Sequence, residues 1–124
     1  MSLLLDTHVV LWWLLDAAAL DERFKARLDD EPDVYVSAAS VWEVAIKQSL
    51  GKLTAPADVG EEVVRSEFRS LAITADHALA AGRLPLLHRD PFDRILVAQA
   101  QLQNLTLVTR DPQIARYAVD LLLV

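Results

Sequence analysis

Residues 88–94 place two acids, two arginines, a histidine and a proline in seven consecutive positions. Asp90-Pro91 is a typical helix start, because Asp accepts hydrogen bonds from free backbone N–H groups and Pro suits the first helical position. Asp93 follows in the first turn of the same helix, although capping needs only one carboxylate. We therefore interpret Asp90 as the cap and Asp93 as a carboxylate that is available for chemistry.

Three other acids stand near the ends of predicted strands. Asp6 closes the first apolar strand, Asp111 follows a strand at residues 106–108, and Glu43 lies in the first turn of the helix after the second strand. In open parallel sheets, sites form outside the carboxyl ends of the strands, where the strand order switches. We predict that four acids converge there as catalytic and metal-binding residues: Asp6, Glu43, Asp93 and Asp111.

A cation must offset the mutual repulsion of four carboxylates. Mg²⁺ and Mn²⁺ prefer oxygen ligands, and the chain has no cysteine, so we expect Mg²⁺ or Mn²⁺ rather than Zn²⁺. The fitting chemistry is phosphodiester hydrolysis, in which the metal lowers the pKa of a bound water and stabilises the leaving oxygen.

Structural explanations compete with this hypothesis for each of the acids. Ser40 and Glu43 have the spacing of a capping box, and Asp111-Pro112 fits a helix N-cap. Asp6 has the weakest structural explanation, since no helix-start proline or capping box follows it.

Polar residues beside the acids are candidates for supporting roles. Three hydroxyls either orient a carboxylate or a metal-bound water, or cap helices and turns: Thr7, Ser40 and Thr109. Four cations either contact phosphates around the metals or pair with the acids: Lys47, Arg89, Arg94 and Arg110. Three histidines lack a metal-binding HxxxH spacing, and we expect surface or turn roles for them: His8, His77 and His88.

The elements that position these residues alternate between short apolar strands and helices. We predict strands at residues 2–5, 34–36, 71–73, 106–108 and 119–122. We predict helices at residues 9–15, 21–30, 41–50, 56–68, 75–83, 91–104 and 113–117. No hairpin dipeptide separates the strands, which favours an open parallel sheet covered by helices on both faces, an α/β fold.

Composition limits the remaining classes of protein. A chain of 124 residues with 53% hydrophobic residues indicates one folded domain, residues 1–124. We expect no signal peptide and no membrane span, and the lack of cysteine is compatible with the cytoplasm. The net charge of −6 argues against a general nucleic-acid binder, although acids around a metal account for part of it.

Four segments together resemble the PIN-domain ribonucleases, and specifically the VapC-like toxins of type II toxin–antitoxin pairs. The segments are LLDTH at residues 4–8, VSAASVWEVAIK at 36–47, HRDPFDRILVAQA at 88–100 and LVTRD at 107–111. Their order and spacing cover essentially the whole chain.

This resemblance implies a three-layer α/β/α domain whose five-stranded parallel sheet has the order 3-2-1-4-5. It implies that Asp6, Glu43 and Asp93 form the core acidic triad, with Asp111 as a more variable fourth acid. It also implies an endoribonuclease that depends on Mg²⁺ or Mn²⁺ and cleaves structured RNA such as tRNA or rRNA, or mRNA. A homodimer and a cognate antitoxin that covers the active site are the expected partners. Our hypothesis is that Asp6, Glu43 and Asp93 activate water through one or two ions.

Three other kinds of protein are alternatives for a parallel sheet that carries acids. A receiver-like domain needs adjacent acids after the first strand, and a phosphatase of the haloacid dehalogenase type needs a second Asp where His8 stands. A non-catalytic binding module, whose acids only cap helices, is the third alternative.

Overall fold

The computed structural model describes residues 1–15, 17–53 and 58–124. Five short strands form one sheet in the order β3-β2-β1-β4-β5, and every neighbouring pair is parallel. The α/β class and the strand order implied by the resemblance are therefore confirmed. The strands are β1 (Leu3–Leu5), β2 (Val34–Ser37), β3 (Arg69–Leu71), β4 (Thr106–Thr109) and β5 (Leu121–Leu123).

Helices connect the strands and cover both faces of the sheet. They are α1 (Thr7–Leu14), α2 (Glu22–Asp30), α3 (Ala38–Ser49), α4 (Val59–Arg65), α5 (Ala75–Arg83) and α6 (Pro91–Gln103). A short 3₁₀ helix, Ile114–Arg116, precedes β5. None of the helices in the described ranges is long and apolar enough to cross a membrane.

The alternating side chains of β1 explain the three layers. Leu3 and Leu5 belong to a core shared with α1, α2, α3 and α4, whereas Leu4 belongs to a second core on the opposite face, under α6. All three leucines are fully buried, as expected for a central strand covered on both faces.

Some predicted boundaries were wrong, and local geometry explains them. The helix predicted to reach Phe68 ends at Arg65, because Glu67 adopts a left-handed φ of 62°. Strand β3 begins at Arg69 rather than residue 71, because its place at the sheet edge tolerates polar residues and Arg69 pairs there with Asp33. The predicted start of this helix at Pro56 and Ala57 lies outside the described residues.

Two helix starts near the acids also differ from prediction. Helix α1 begins at Thr7, so that Asp6 is its N-cap. Helix α3 begins at Ala38 with Ser37 as its N-cap, which places Ser40 inside the first turn and excludes the capping box between Ser40 and Glu43 that was the structural alternative for Glu43. The last strand lies at Leu121–Leu123, slightly later than predicted.

The strand order switches between β1 and β4. The chain leaves β1 toward β2 on one side, while β4 lies on the other, and the backbone N–H of Asp6 donates to the carbonyl of Val108 at 3.0 Å. The carboxyl ends of these two strands therefore adjoin, and the helix starts that follow them surround the same place.

Candidate metal centre at the strand switch

Asp6 is held where β1 passes into α1. One carboxylate oxygen accepts from the backbone N–H of Val9 at 2.9 Å, and the other accepts from the hydroxyl of Thr109 at the end of β4. The residue is only 4% exposed. Asp6 thus has a structural role that the sequence did not indicate, and its orientation is fixed by two different elements.

Thr109 links two of the predicted acids. Its Oγ1 donates to Asp6 and accepts from the backbone N–H of Asp111 at 3.1 Å. Asp111 in turn caps the turn that follows, since its Oδ1 accepts from the N–H of Gln113 at 2.8 Å. The fully buried Thr109 therefore fixes the spacing between Asp6 and Asp111.

The two acids at the start of α6 have different contacts: one caps the helix and the other faces the cavity. Asp90 is the N-cap, and its Oδ1 accepts from the N–H groups of Phe92 and Asp93 at 2.8 and 3.4 Å. The Asp93 carboxylate makes no cap contact and points instead toward His88. The prediction that Asp90 caps α6 is confirmed, whereas the function of Asp93 stays a prediction.

His88 lies between two of the acids. Its Nε2 is 2.8 Å from Oδ2 of Asp93 and 3.2 Å from Oδ2 of Asp111. Its backbone N–H donates to the hydroxyl of Tyr117, which holds this part of the chain in place before α6. The expectation that His88 has an ordinary surface or turn role is therefore wrong, because the imidazole is half-buried among candidate ligands.

A cavity of about 380 Å³ opens at this point of the sheet. Its walls contain acids from three elements together with rings and one cation. The lining residues are Asp6, His8, Trp12, His88, Asp90, Asp93, Arg110 and Asp111.

Burial and crowding make these carboxylates reluctant to ionise. Burial is the main reason that the pKa of Asp6 is raised, with the hydrogen bond from Thr109 acting in the opposite direction. Burial and then the charge of Asp90 raise the pKa of Asp93 to about 7, and His88 partly offsets that rise. A divalent cation would relieve the repulsion that both groups experience.

Glu43 is buried on α3 in an adjacent cavity of about 450 Å³. Its carboxylate pairs with Lys47, one turn further along the helix, at 3.0 Å. Asp90 lines both cavities and so marks the boundary between them. The described structure thus brings Asp6, Asp93 and Asp111 together, while Glu43 lies beside them rather than among them.

Thr7 and Ser40 connect the helices that carry Asp6 and Glu43. The hydroxyl of Thr7 donates to that of Ser40 at 3.0 Å, and both residues are buried. This contact ties the first turn of α1 to the first turn of α3. The support of a carboxylate or a metal-bound water by these hydroxyls stays a prediction.

Arg94 does not fit the predicted contact with RNA phosphate. The residue is 8% exposed, and its guanidinium donates to the backbone carbonyls of residues 81, 84, 85 and 88 and to the hydroxyl of Tyr117. These bonds engage the guanidinium donors of Arg94 and hold in place the segment that carries His88. Arg94 is a structural residue.

The other predicted cations remain near the two cavities. Arg110 is exposed and lines the first cavity. Lys47 and the exposed Arg89 line the second, where Lys47 already pairs with Glu43.

The donor set suits a hard divalent cation. His88, Asp93 and Asp111 each offer one ligand atom within 4.8 Å of the others, and the Asp6 carboxylate is close enough for its charge to raise the pKa of Asp93. Carboxylate oxygens predominate, with one imidazole nitrogen, which is compatible with Mg²⁺ and favourable for Mn²⁺.

A family model described as the PIN domain matches residues 3–120. The chain belongs to the PIN domain family. The matched range contains every acid of both cavities, and family membership excludes the receiver-like and phosphatase-like alternatives.

One curated relative and several solved structures are similar to this PIN domain. Ribonuclease VapC22 of Mycobacterium tuberculosis (strain ATCC 25618 / H37Rv) is 29% identical over 113 residues, which covers 89% of this chain and 87% of that protein. VapBC2 from Rickettsia felis, bound to a DNA fragment from its promoter, superposes with a TM-score of 0.75 at 16% identity and 98% coverage of both chains. A toxin–antitoxin complex from Klebsiella pneumoniae gives 0.67 at 22% identity, covering 98% of this chain and 96% of the other. At these identities the solved structures establish the PIN fold alone.

Proposed function

We propose that this PIN domain is an endoribonuclease toxin of the VapC type that depends on Mg²⁺ or Mn²⁺ and acts in the cytoplasm. The observation that carries the proposal is the convergence of Asp6, Asp93 and Asp111 on one cavity at the strand switch. The ribonuclease name of the curated relative supports the choice of RNA as the substrate.

The proposed metal site uses oxygens of Asp6, Asp93 and Asp111, with Glu43 contributing from the adjacent cavity. A bound divalent ion supplies a water of lowered pKa and stabilises charge on the leaving oxygen. The protein's part is to fix these carboxylates: Thr109 and the N–H of Val9 orient Asp6, and Asp90 caps α6 so that Asp93 faces the cavity.

Protons and cations compete for Asp93. At pH values below about 7, Asp93 holds a proton next to Nε2 of His88, and metal binding requires that this proton leave. Metal occupancy therefore rises with pH through the neutral range.

A cognate antitoxin is the proposed protein partner, and a homodimer is the proposed assembly. Solved complexes of similar fold are named as toxin–antitoxin and VapBC assemblies, which supports this partner class. A small reading frame next to the coding sequence, with a DNA-binding N-terminal half, would identify the partner.

The direct test compares the parent with Asp6→Asn and Asp93→Asn on structured RNA in Mg²⁺ or Mn²⁺. Each variant should lose at least about 100-fold in cleavage rate, the usual scale for groups that act on the attacking water. Circular dichroism checks that the variants stay folded. Equal cleavage by folded variants and parent would refute the proposed site.

A further inference from the structure

One wall of the acidic cavity consists of flat side chains. The rings of His8 and Trp12, one helical turn apart on α1, have centroids 6.0 Å apart at an interplanar angle of 40°. The guanidinium of Arg110 lies over the Trp12 ring, 4.4 Å from its centroid. We call these three side chains the stacking wall. They face the acids across the same cavity.

Arg110 holds Trp12 in place. Its guanidinium donates to main-chain oxygens of Val124, at 2.6 Å, and of Ala19. The stack of Arg110 on Trp12 is therefore ordered by main-chain contacts.

His8 forms the open end of the stacking wall. The residue is exposed, stands two positions after Asp6, and is close enough for its charge to lower the pKa of the Asp6 carboxyl. A planar group that enters the cavity beside Asp6 would thus meet the His8 ring first and the Trp12 ring behind it.

We propose that the stacking wall receives an unpaired nucleobase next to the phosphate that is cleaved. Bases in a duplex hide their faces against each other, whereas an unpaired base can stack on aromatic side chains and on arginine. The inference rests on the proposed nuclease function and assigns the side chains that contact the base.

The charge of the molecule adds a reason for such a contact. A chain with net charge −6 gains little from general attraction to phosphate, which supplies most of the affinity in ordinary nucleic-acid binders. Stacking does not depend on net charge, so the rings supply binding that the acidic cavity cannot.

The test measures how much the bases contribute to binding. A short oligoadenylate and an abasic oligomer of the same length and charge are titrated in Ca²⁺, and electrophoresis checks that the strands stay intact. The parent should bind the oligoadenylate about 5- to 100-fold more tightly, the range expected for one or two base–aromatic contacts. The His8→Ala variant should lose most of this preference, whereas His8→Phe, which keeps a ring, should retain it.

Trp42→Leu is the matched control, because Trp42 is 60% exposed on α3 and lies outside this cavity. It should keep the full preference. Trp12→Leu should lose the preference as His8→Ala does, and the His8 pair decides the matter if Trp12→Leu fails to fold. An unchanged preference in His8→Ala, an equal loss in Trp42→Leu, or no preference in the parent would overturn the inference.

Cleavage assays in Mn²⁺ separate this inference from the proposed function. Cleavage by a parent that shows no base preference refutes the stacking wall and leaves the nuclease in place. A base preference without cleavage refutes the nuclease and leaves a nucleic-acid contact on the wall.

Discussion

Each acid of the first cavity is oriented by the fold while it keeps capacity to bind a cation. Asp6 accepts one hydrogen bond on each oxygen, and Asp111 uses one oxygen for a backbone N–H and the other for His88. An ionised carboxylate has about four acceptor positions, so these contacts do not exhaust it. Capping and metal binding are therefore compatible in the same side chain, and a structural role does not argue against a catalytic one.

Glu43→Gln separates metal binding from helix support. Ser37 caps α3, so the substitution leaves the cap in place and, among the described contacts, removes the charge that pairs the buried Glu43 with Lys47. We expect near-parental thermal stability but a loss of cleavage of at least about 100-fold. Glu61→Gln, which breaks a similar pair with Arg65 on α4, is the matched control and should keep full activity. Full activity of Glu43→Gln would remove Glu43 from the site.

The raised pKa of Asp93 predicts the pH dependence of stability without metal. Its ordinary value is 3.8 and its value in the folded protein is about 7. Between these values the folded state holds a proton that the unfolded chain releases, so this group lowers the free energy of unfolding as pH rises. In EDTA, the melting temperature of the parent should fall between about pH 5 and about pH 7 more steeply than that of Asp93→Asn.

The exposed Asp76→Asn on α5 provides the comparison for a general effect of charge removal. Its melting temperature should follow the parent at each pH. Identical pH profiles for the parent and Asp93→Asn would show that Asp93 ionises normally in the folded protein.

At the level of elements, most of the sheet could be predicted because each buried strand is marked by its own run of apolar residues. The leucines of β1 and the apolar residues of β2 and β4 are the continuous runs expected of buried parallel strands. The carboxyl ends of these strands identified the edge of the sheet at which the site lies, and Asp90-Pro91 identified the start of α6. Strand β3 is polar and lies at the edge, so no run of apolar residues marked its first residue.

The parts of the site that escaped prediction depend on contacts distant in sequence. His88 approaches Asp111 because α6 packs back against β4, which brings the start of the helix beside the end of the strand, and nothing in the spacing of the histidines indicates this. The concentration of charged residues at positions 88–94 was the sequence signal that could have drawn attention to His88. Arg94 looked like a surface cation, but its burial against the end of α5 is a tertiary feature.

Arg94 connects α6 to the segment that ends α5 and delivers His88. Arg94→Met should lower the free energy of unfolding by roughly 2–4 kcal/mol, because several carbonyls lose a charged donor and some are left buried without a partner. Urea denaturation measures the change. Arg89→Gln, an exposed arginine nearby, should alter stability by less than about 0.5 kcal/mol. A stable Arg94→Met variant with weakened RNA binding would restore the phosphate-contact hypothesis.

At the scale of the whole molecule, the buried acids destabilise the fold in a way that a bound metal ion would reverse. The net charge is −6, and burial, followed by repulsion from neighbouring carboxylates, raises the pKa values of Asp6 and Asp93. A protein built in this way is more stable with its cation than without it, because only the folded state brings the ligands together.

Thermal denaturation with and without Mn²⁺ tests this coupling across the entire domain. Mn²⁺ at about 100 times its dissociation constant should stabilise the parent by roughly 2.7 kcal/mol and raise its melting temperature accordingly. Asp6→Asn and Asp93→Asn should lose most of the rise, because each removes a ligand, whereas Glu61→Gln should keep it. An unchanged melting temperature of the parent in Mn²⁺, together with inactivity on RNA, would favour a binding module whose acids only cap helices. The same rise in all variants would place the ion elsewhere on this acidic chain.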